Sequence, residues 1–184
     1  MALGDLNIIG DVTDSLVSLL SDFDVTLDSP ANLNTGGDGQ FARVNLFLYE
    51  VLENAFSKNQ NKVTQNNGDQ EYPPLALNLF YLLTPYASDP LSAQRVLSHA
   101  MRVFYDHSII RGTELAESLR LTVDQLAINL VPLPLEDLTR IWNALQTPYR
   151  LSVSYEVRVV LIESEIVTTP ARVETRLNLY RQKT

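Results

Sequence analysis

The sequence predicts an α+β fold in a single domain, in which helices and an antiparallel hairpin accompany one long strand. Residues 149–163 alternate between apolar and other side chains, as a strand with one buried face does. An amphipathic helix closed by Pro148 comes directly before them. Two further apolar stretches, 43–54 and 75–86, are joined by a polar segment, which favours an antiparallel hairpin.

The strand at 149–163 is the element around which we expect the other elements to pack. One parity of its residues is apolar from Leu151 to Leu161, whereas the other begins polar and becomes apolar after Arg158. Both faces of its far end should therefore be covered. We expect the inward side chains to be Leu151, Val153, Tyr155, Val157, Val159 and Leu161, and the outward ones to be Ser152, Ser154, Glu156 and Arg158.

The first half of the chain predicts a helix, a short strand and a long apolar segment. The helix covers 5–21, the short strand covers 24–28, and a glycine-rich turn follows around Gly36, Gly37 and Gly39. Residues 43–54 are apolar on both parities, which is typical of a central strand buried on two faces, with a buried helix as the alternative. The polar segment 57–72 is expected to be an exposed loop or a hairpin tip.

The second half predicts one long helix and a further strand. Asp89 and Pro90 form a helix start, with aspartate as the N-terminal cap and proline in the first turn. A strand is expected over 119–130. The helix should bury Ala93, Val96, Leu97, Ala100, Val103 and Phe104.

The composition is that of an ordinary soluble protein, with 45% hydrophobic and 20% charged residues in a chain of 184. There are no cysteines, which excludes disulfides and thiolate chemistry. The N-terminus lacks the basic segment of a signal peptide, and no apolar run approaches the ~18 residues of a membrane span. We therefore expect a protein made in the cytoplasm and not inserted into a membrane.

The formal net charge of −8 is unevenly distributed. Residues 1–42 contain seven aspartates and no lysine or arginine, whereas the last fifteen residues contain four cationic side chains against Glu174. Such an asymmetry suits head-to-tail contact between copies. A solvated acidic face with a frayed tail is the simpler interpretation of the charge alone. Nothing forms a basic patch, so we expect no nucleic-acid partner.

No enzymatic site is recognisable in the sequence. His99 and His107 would lie about 12 Å apart along a helix, too far apart to share a metal ion. Asp22, Asp24 and Asp28 lack the glycine and the third carboxylate of a calcium loop, so an acidic turn is the better interpretation. We expect no catalytic, metal-binding or cofactor-binding residues, and we assign the two histidines to surface or capping positions.

Trp142 continues the apolar stripe of the helix before the long strand. It follows Leu138 by four residues, so both side chains lie on one helix face. We interpret Trp142 as a buried anchor of the helix, with an exposed interface residue as the alternative.

Three blocks of sequence resemble the cap, or tail-terminator, proteins of extracellular contractile injection systems of the antifeeding-prophage and Photorhabdus virulence cassette type. These blocks are MALGDLNIIGDVTDSLVSLL, YPPLALNLFYLLTPYA followed by SAQRVLSHAMRVFYDH, and LPLEDLTRIWNALQTPYRLSVSYEVRVVLIES. They occur in the family's order and span nearly the whole chain. The segment TPYRLSVSYEVRVVLIE, after a helix with a tryptophan, is the most specific part.

The resemblance implies a fold like that of phage tail terminators, with a mixed, mostly antiparallel sheet flanked by helices. It also implies a structural rather than enzymatic function. It implies a ring of six copies on the distal end of an inner tube and an outer sheath, where it stops their growth and keeps the sheath extended. The partners would be the chain itself, the sheath protein and the tube protein. The protein would be incorporated in a particle that can be released outside the cell. We expect the chain to lack the C-terminal extensions of some relatives.

Residues 1–163 are therefore expected to form the terminator-like domain, and residues 164–184 a C-terminal arm. The arm is too apolar for a free tail, so we expect it to dock on a neighbouring chain or to fold back as an edge strand. Two alternatives remain, a small-ligand-binding or regulatory domain that does not assemble and an enzyme of unrecognised type. The candidate interface residues are Arg172, Arg176, Leu177, Leu179, Tyr180 and Arg181.

Overall fold

A computed structural model describes residues 7–33, 43–55, 63–64, 70–71, 74–121, 123–162 and 167–168. Nine strands lie in these ranges and form two sheets. The strands are β1 (Asp24–Thr26), β2 (Arg43–Glu53), β3 (Val63–Thr64), β4 (Gln70–Glu71), β5 (Leu75–Tyr86), β6 (Ile109–Arg111), β7 (Gln125–Val131), β8 (Val153–Ile162) and β9 (Val167–Thr168).

The main sheet has six strands in the order β1-β2-β5-β8-β7-β6. β1 runs parallel to β2, and every other neighbouring pair is antiparallel. The predicted mixed, mostly antiparallel sheet is therefore confirmed, and so is the hairpin between the two apolar stretches, which are β2 and β5. β8 lies between β5 and β7, in the interior position predicted for it.

A small second sheet consists of β3, β4 and β9 in antiparallel order. Gln70 is paired with Thr168 and Glu71 with Val167. The first part of the predicted C-terminal arm therefore folds back on its own chain as a short strand. The glycine-rich turn and most of the 57–72 segment lie outside the described residues.

The described residues include three α-helices that cover the main sheet, α1 (Ile8–Leu19), α2 (Pro90–Asp106) and α3 (Leu135–Ala144). α1 and α2 pack on one face together with the short 3₁₀ segment Glu117–Leu121. Their apolar side chains form one continuous core with the inward residues of β2, β5, β7 and β8. α3 lies on the opposite face, where Leu138 and Trp142 pack on Leu82 of β5. Trp142 is only 1% exposed, which confirms it as a helix anchor.

The start of α2 follows directly from its sequence. Oδ1 of Asp89 accepts a hydrogen bond from the amide of Ser92 at 2.9 Å, and Pro90 occupies the first turn, where a missing N–H costs nothing. Hydrogen bonds from the side chain and the amide of Ser92 lower the pKa of Asp89. The residues that α2 buries are Val96, Leu97, Ala100 and Phe104, all of which were predicted. Ala93 and Val103, also predicted to be buried, are only half-buried.

The outward parity of β8 was predicted wrongly. Ser152, Ser154 and Glu156 are all buried, whereas Leu151 of the supposedly inward parity is exposed. The physical reason is that α3 and its flanking side chains cover this second face, and the polar groups there are paired with one another. Arg158 is exposed, as predicted.

Three other predicted elements differ from the structure. The strand predicted over 149–163 begins only at Val153. The strand predicted over 119–130 begins only at Gln125, because a 3₁₀ segment continues to Leu121; Leu119 in that segment and Val123 after it are buried in the core. Residues 43–54 are a strand and not a helix, but β2 is next to the edge of the sheet and not central. Its first half is buried, whereas Val51 and Leu52 are exposed.

Candidate interaction surfaces

The two histidines of α2 belong to separate surface contacts. Nε2 of His99 lies 3.6 Å from Oδ2 of Asp22, and its ring packs edge-on against Phe23. His107 caps the C-terminus of α2, and its Nδ1 lies 2.8 Å from Oε1 of Glu114. Within the described ranges, no three histidine, aspartate or glutamate side chains are grouped to hold a metal ion.

The acidic turn around β1 is joined to β2 rather than to an ion. Oδ2 of Asp24 accepts a hydrogen bond from Nε of Arg43 at 2.8 Å, in an exposed ion pair. The main-chain oxygen of Asp28 accepts from the side-chain amide of Asn45 at 2.9 Å. These contacts agree with the interpretation of this segment as a structural turn.

A chain of polar side chains crosses β2, β5 and β8 on the face that carries α3. The amide of Asn54 donates to Oδ1 of Asn78 at 2.9 Å, and Asn78 in turn donates to Oε1 of Glu156 at 2.8 Å. Oε2 of Glu156 accepts from Nε of Arg158 at 2.6 Å. The buried carboxylate is thus paired on both oxygens, which offsets the cost of removing it from water.

Two further hydrogen bonds tie this face together near α3. The indole N–H of Trp142 donates to Oγ of Ser152 at 3.1 Å. The hydroxyls of Tyr49 and Ser154 lie 2.9 Å apart. Tyr49 sits where the register between β2 and β5 shifts, so the irregularity directs its ring toward β8. Ser152 and Ser154 are therefore buried hydrogen-bonding residues that connect β8 and the residue before it to α3 and β2, and they do not face solvent.

An open groove of about 360 Å³ separates α3 from β2. Its charged side chains are already partly paired, because Arg140 contacts Oε1 of Glu136 at 2.6 Å and Oδ1 of Asp137 at 3.5 Å. The residues that line it are Tyr49, Glu50, Leu133, Asp137, Arg140 and Ile141.

A second, smaller groove of about 130 Å³ lies between the C-terminal end of α2 and β7, on the face that carries α1 and α2. It is almost entirely apolar and stays open to solvent because Tyr105 is 82% exposed and Leu130 is 50% exposed. We call it the α2–β7 groove. Its lining residues are Met101, Phe104, Tyr105, Ser108, Ile128, Leu130 and Tyr155.

Sequence reasoning did not single out either groove. Tyr105 follows Phe104, a buried member of the apolar stripe of α2, and so lies off that stripe. A large aromatic side chain at such a position is the signal that the sequence did contain. The predicted interface residues between 172 and 181 lie outside the described residues, so their placement stays a prediction.

The sequence pattern of the Pvc16 N-terminal domain family matches residues 9–176, which is most of the chain. The chain belongs to the Pvc16 N-terminal domain family. The resemblance found in the sequence blocks is thereby confirmed at the level of the family. No protein with a curated description matches this Pvc16 N-terminal domain significantly.

Two solved structures share the fold of this Pvc16 N-terminal domain. One is the sheath/tube terminator of the PVC extracellular contractile injection system in its extended state, with a TM-score of 0.64 and 21% identity. The other is the cap of the antifeeding prophage, its tube-terminating cap, with a TM-score of 0.60 and 18% identity. At these identities the likeness establishes a common fold, and it confirms the predicted terminator-like architecture.

The matches cover almost all of this chain but not all of the two solved chains. They extend over 96% of this chain and 64% of the sheath/tube terminator, and over 98% of this chain and 62% of the cap. This Pvc16 N-terminal domain therefore spans less than two thirds of the length of either structure.

Proposed function

We propose that this protein is a structural cap that terminates the inner tube and the outer sheath of a contractile injection particle and keeps the sheath extended. The observation that carries the proposal is the shared fold over 96% of the chain with a sheath/tube terminator in the extended state, together with membership of the Pvc16 N-terminal domain family. Its partners are the sheath and tube proteins of the particle.

The cap acts as a homohexameric ring at the distal end of the particle. A ring closes only when each subunit presents two different, complementary surfaces to its neighbours. The aspartate-rich segment 1–42 and the basic segment 164–184 supply opposite charges. The apolar side chains contribute most of the contact, since exposed ion pairs are individually weak. The interface residues proposed in this arm are Arg172, Arg176, Leu177, Leu179, Tyr180 and Arg181.

A structural, non-enzymatic role is part of this proposal. His99 and His107 each lie beside one carboxylate at the surface, that of Asp22 and that of Glu114. We assign no metal, cofactor or nucleic acid to the protein. Its place is the cytoplasm of the producing cell and then the particle. No helix among the described residues has the length and apolar character for crossing a membrane.

The test is to produce particles with and without this chain and to measure tube and sheath lengths by electron microscopy. Without the chain we expect tubes of irregular length and sheaths that contract early. The wild-type chain, and equally the His99→Gln/His107→Asn double variant, should restore uniform extended particles. Uniform, extended particles in the absence of the chain would refute the proposed function.

A further inference from the structure

The α2–β7 groove is an apolar surface that the described part of the chain leaves open. Its floor is formed by buried Phe104, Ile128 and Tyr155, whereas Tyr105 and Leu130 rise from its rim into solvent. A groove with a packed apolar floor and an exposed aromatic rim has the character of a binding site for an apolar segment.

The groove runs beside a stretch of open strand edge. β6 pairs with β7 only at residues 125–127, and the amide of Ile128 donates to the oxygen of Ser108 on the same side at 2.8 Å. Because outward-pointing backbone groups alternate along a strand, the N–H and C=O of Leu130 point to that side as well. No described group is bonded to them there. A segment in extended conformation can pair with this edge while its side chains enter the groove.

The C-terminal end of α2 contributes negative charge beside the groove. Its last turn carries Asp106 and no lysine or arginine, so no cationic side chain within that turn offsets the partial negative charge of the helix C-terminus; Arg102 lies one turn earlier. His107, the capping residue, is engaged by Glu114. A ligand segment that combines apolar and cationic side chains would match both properties of the site.

We propose that the α2–β7 groove receives residues 169–184 of a neighbouring copy of this chain. In an extended strand Leu177 and Leu179 lie on one face, where they can enter the groove beside Tyr105 and Leu130. Arg172, Arg176 and Arg181 bring positive charge to the negative end of α2. This inference rests on the proposed ring and names the surface that accepts the arm.

The closed ring favours a neighbouring copy as the donor. Tyr155 of the groove lies near the start of β8, whereas β9 comes after the far end of that strand and is paired with β4. The end of β8 lies roughly 20 Å along the strand from Tyr155. Residues 169–184 can span up to about 50 Å when extended, so their length permits the groove of the same chain and that of a neighbour. A closed ring requires two different surfaces on each subunit, and arm and groove supply them only when the arm enters the neighbour's groove.

The absence of native cysteines allows a direct test by cross-linking. The variant Ser108→Cys/Asn178→Cys places one thiol in the groove and one in the arm. Treatment of the purified full chain with a bismaleimide should then give a ladder of linked subunits on a denaturing gel. The matched control is Asn143→Cys/Asn178→Cys, whose first thiol is exposed on α3 on the opposite face of the sheet. It should give at least ten-fold less linkage.

A second set of variants tests the surface itself. Tyr105→Glu should abolish the ladder, and Leu130→Asn should reduce it several-fold, with unchanged circular dichroism because both side chains are exposed. Leu135→Glu, at an exposed position of α3, is the control for an added negative charge and should leave the ladder intact.

Native mass spectrometry of the wild-type chain and of a chain lacking 169–184 separates this inference from the ring proposal. A ring that depends on the arm, together with the ladder, supports both. A wild-type ring without the ladder, or with the ladder only within single chains, overturns the groove assignment and leaves the ring standing. If the chain is a monomer at every concentration and gives no ladder, the groove assignment is refuted. The capping proposal is then decided separately, by the particle lengths measured in electron microscopy.

Discussion

The indole N–H of Trp142 donates a hydrogen bond to Oγ of Ser152 across 3.1 Å, and this contact fastens α3 to the residue just before β8. Ser152 donates onward to the main-chain oxygen of Arg150 at 3.2 Å. The helix and the strand are therefore joined at the connection between them, and Trp142 contributes both packing and a hydrogen bond to the face that carries α3.

The variant Trp142→Ala should lower the free energy of unfolding by about 3–5 kcal/mol, because it removes a fully buried aromatic ring and leaves a cavity. Trp142→Phe should cost less, since it keeps most of the packing and loses the hydrogen bond. Urea denaturation followed by circular dichroism measures both. Leu135→Ala, at a position 66% exposed on the same helix, should change the value by no more than about 0.5 kcal/mol.

The variant Ser154→Asp should prevent soluble folding as effectively as Val157→Asp. Ser154 is only 1% exposed and its hydroxyl is bonded to Tyr49, so the new carboxylate would be buried without a cationic partner at a cost of several kcal/mol. Soluble yield and circular dichroism are the measurements. Ser98→Asp, the same exchange at an exposed position of α2, should fold normally. Normal folding of Ser154→Asp would contradict the arrangement of faces described for β8.

The variant Glu156→Leu should lower the free energy of unfolding by about 1–3 kcal/mol, because Asn78 loses its acceptor in a buried setting. Arg158→Ala should cost about as much, because the carboxylate of Glu156, only 6% exposed, then stays charged without the cation on its Oε2. Equilibrium denaturation in urea measures the free energy of unfolding of both variants. A loss below about 0.5 kcal/mol from Arg158→Ala would mean that water reaches the carboxylate and replaces the guanidinium.

Alkaline pH should destabilise the protein through Tyr81. Burial raises the pKa of its hydroxyl to about 12, above the value of 10.0 for an unperturbed tyrosine. The neutral side chain therefore favours the folded state fully below pH 10, and this contribution is lost as the pH rises from about 10 to about 12. Burial also raises the pKa of Tyr155 to about 12, so it adds to the same loss.

The variant Tyr81→Phe isolates this effect. Below pH 10 it should cost about 1 kcal/mol, because the 2.8 Å hydrogen bond to Thr13 is lost. The difference from wild type should shrink as the pH approaches 12, since the variant has no hydroxyl to ionise at this position. Thermal unfolding across this range gives the comparison. A difference that grows with pH would refute the assignment.

The parts of the fold that sequence predicted well are those set by local periodicity. The stripe of α2 and the cap at Asp89 depend on residues near one another in the chain, and both occur as expected. The alternation in β8 located the strand but not its solvent side. In the sequence Ser154 and Glu156 look like surface residues, because their hydrogen-bond partners, Tyr49 and Asn78, lie on strands that are distant along the chain. Such pairing is a tertiary property, which periodicity does not encode.

The α2–β7 groove escaped prediction for a related reason. The groove exists because β6 pairs with only the first three residues of β7 and because α2 ends above the rest of that strand. Neither feature has a sequence signature of its own. Family resemblance anticipated the architecture and the family, because whole blocks of sequence carry it. The arm residues proposed as an interface came from composition alone, and they remain a prediction.

The two outermost strands of the main sheet, β1 and β6, are only three residues long. Asp24 of β1 forms an ion pair with Arg43, and β6 ends in Arg111. Short, charged borders of this kind discourage indiscriminate sheet-to-sheet aggregation. Chance pairing of two copies through β1 or β6 is therefore disfavoured, and contact between copies is left to other, more specific surfaces.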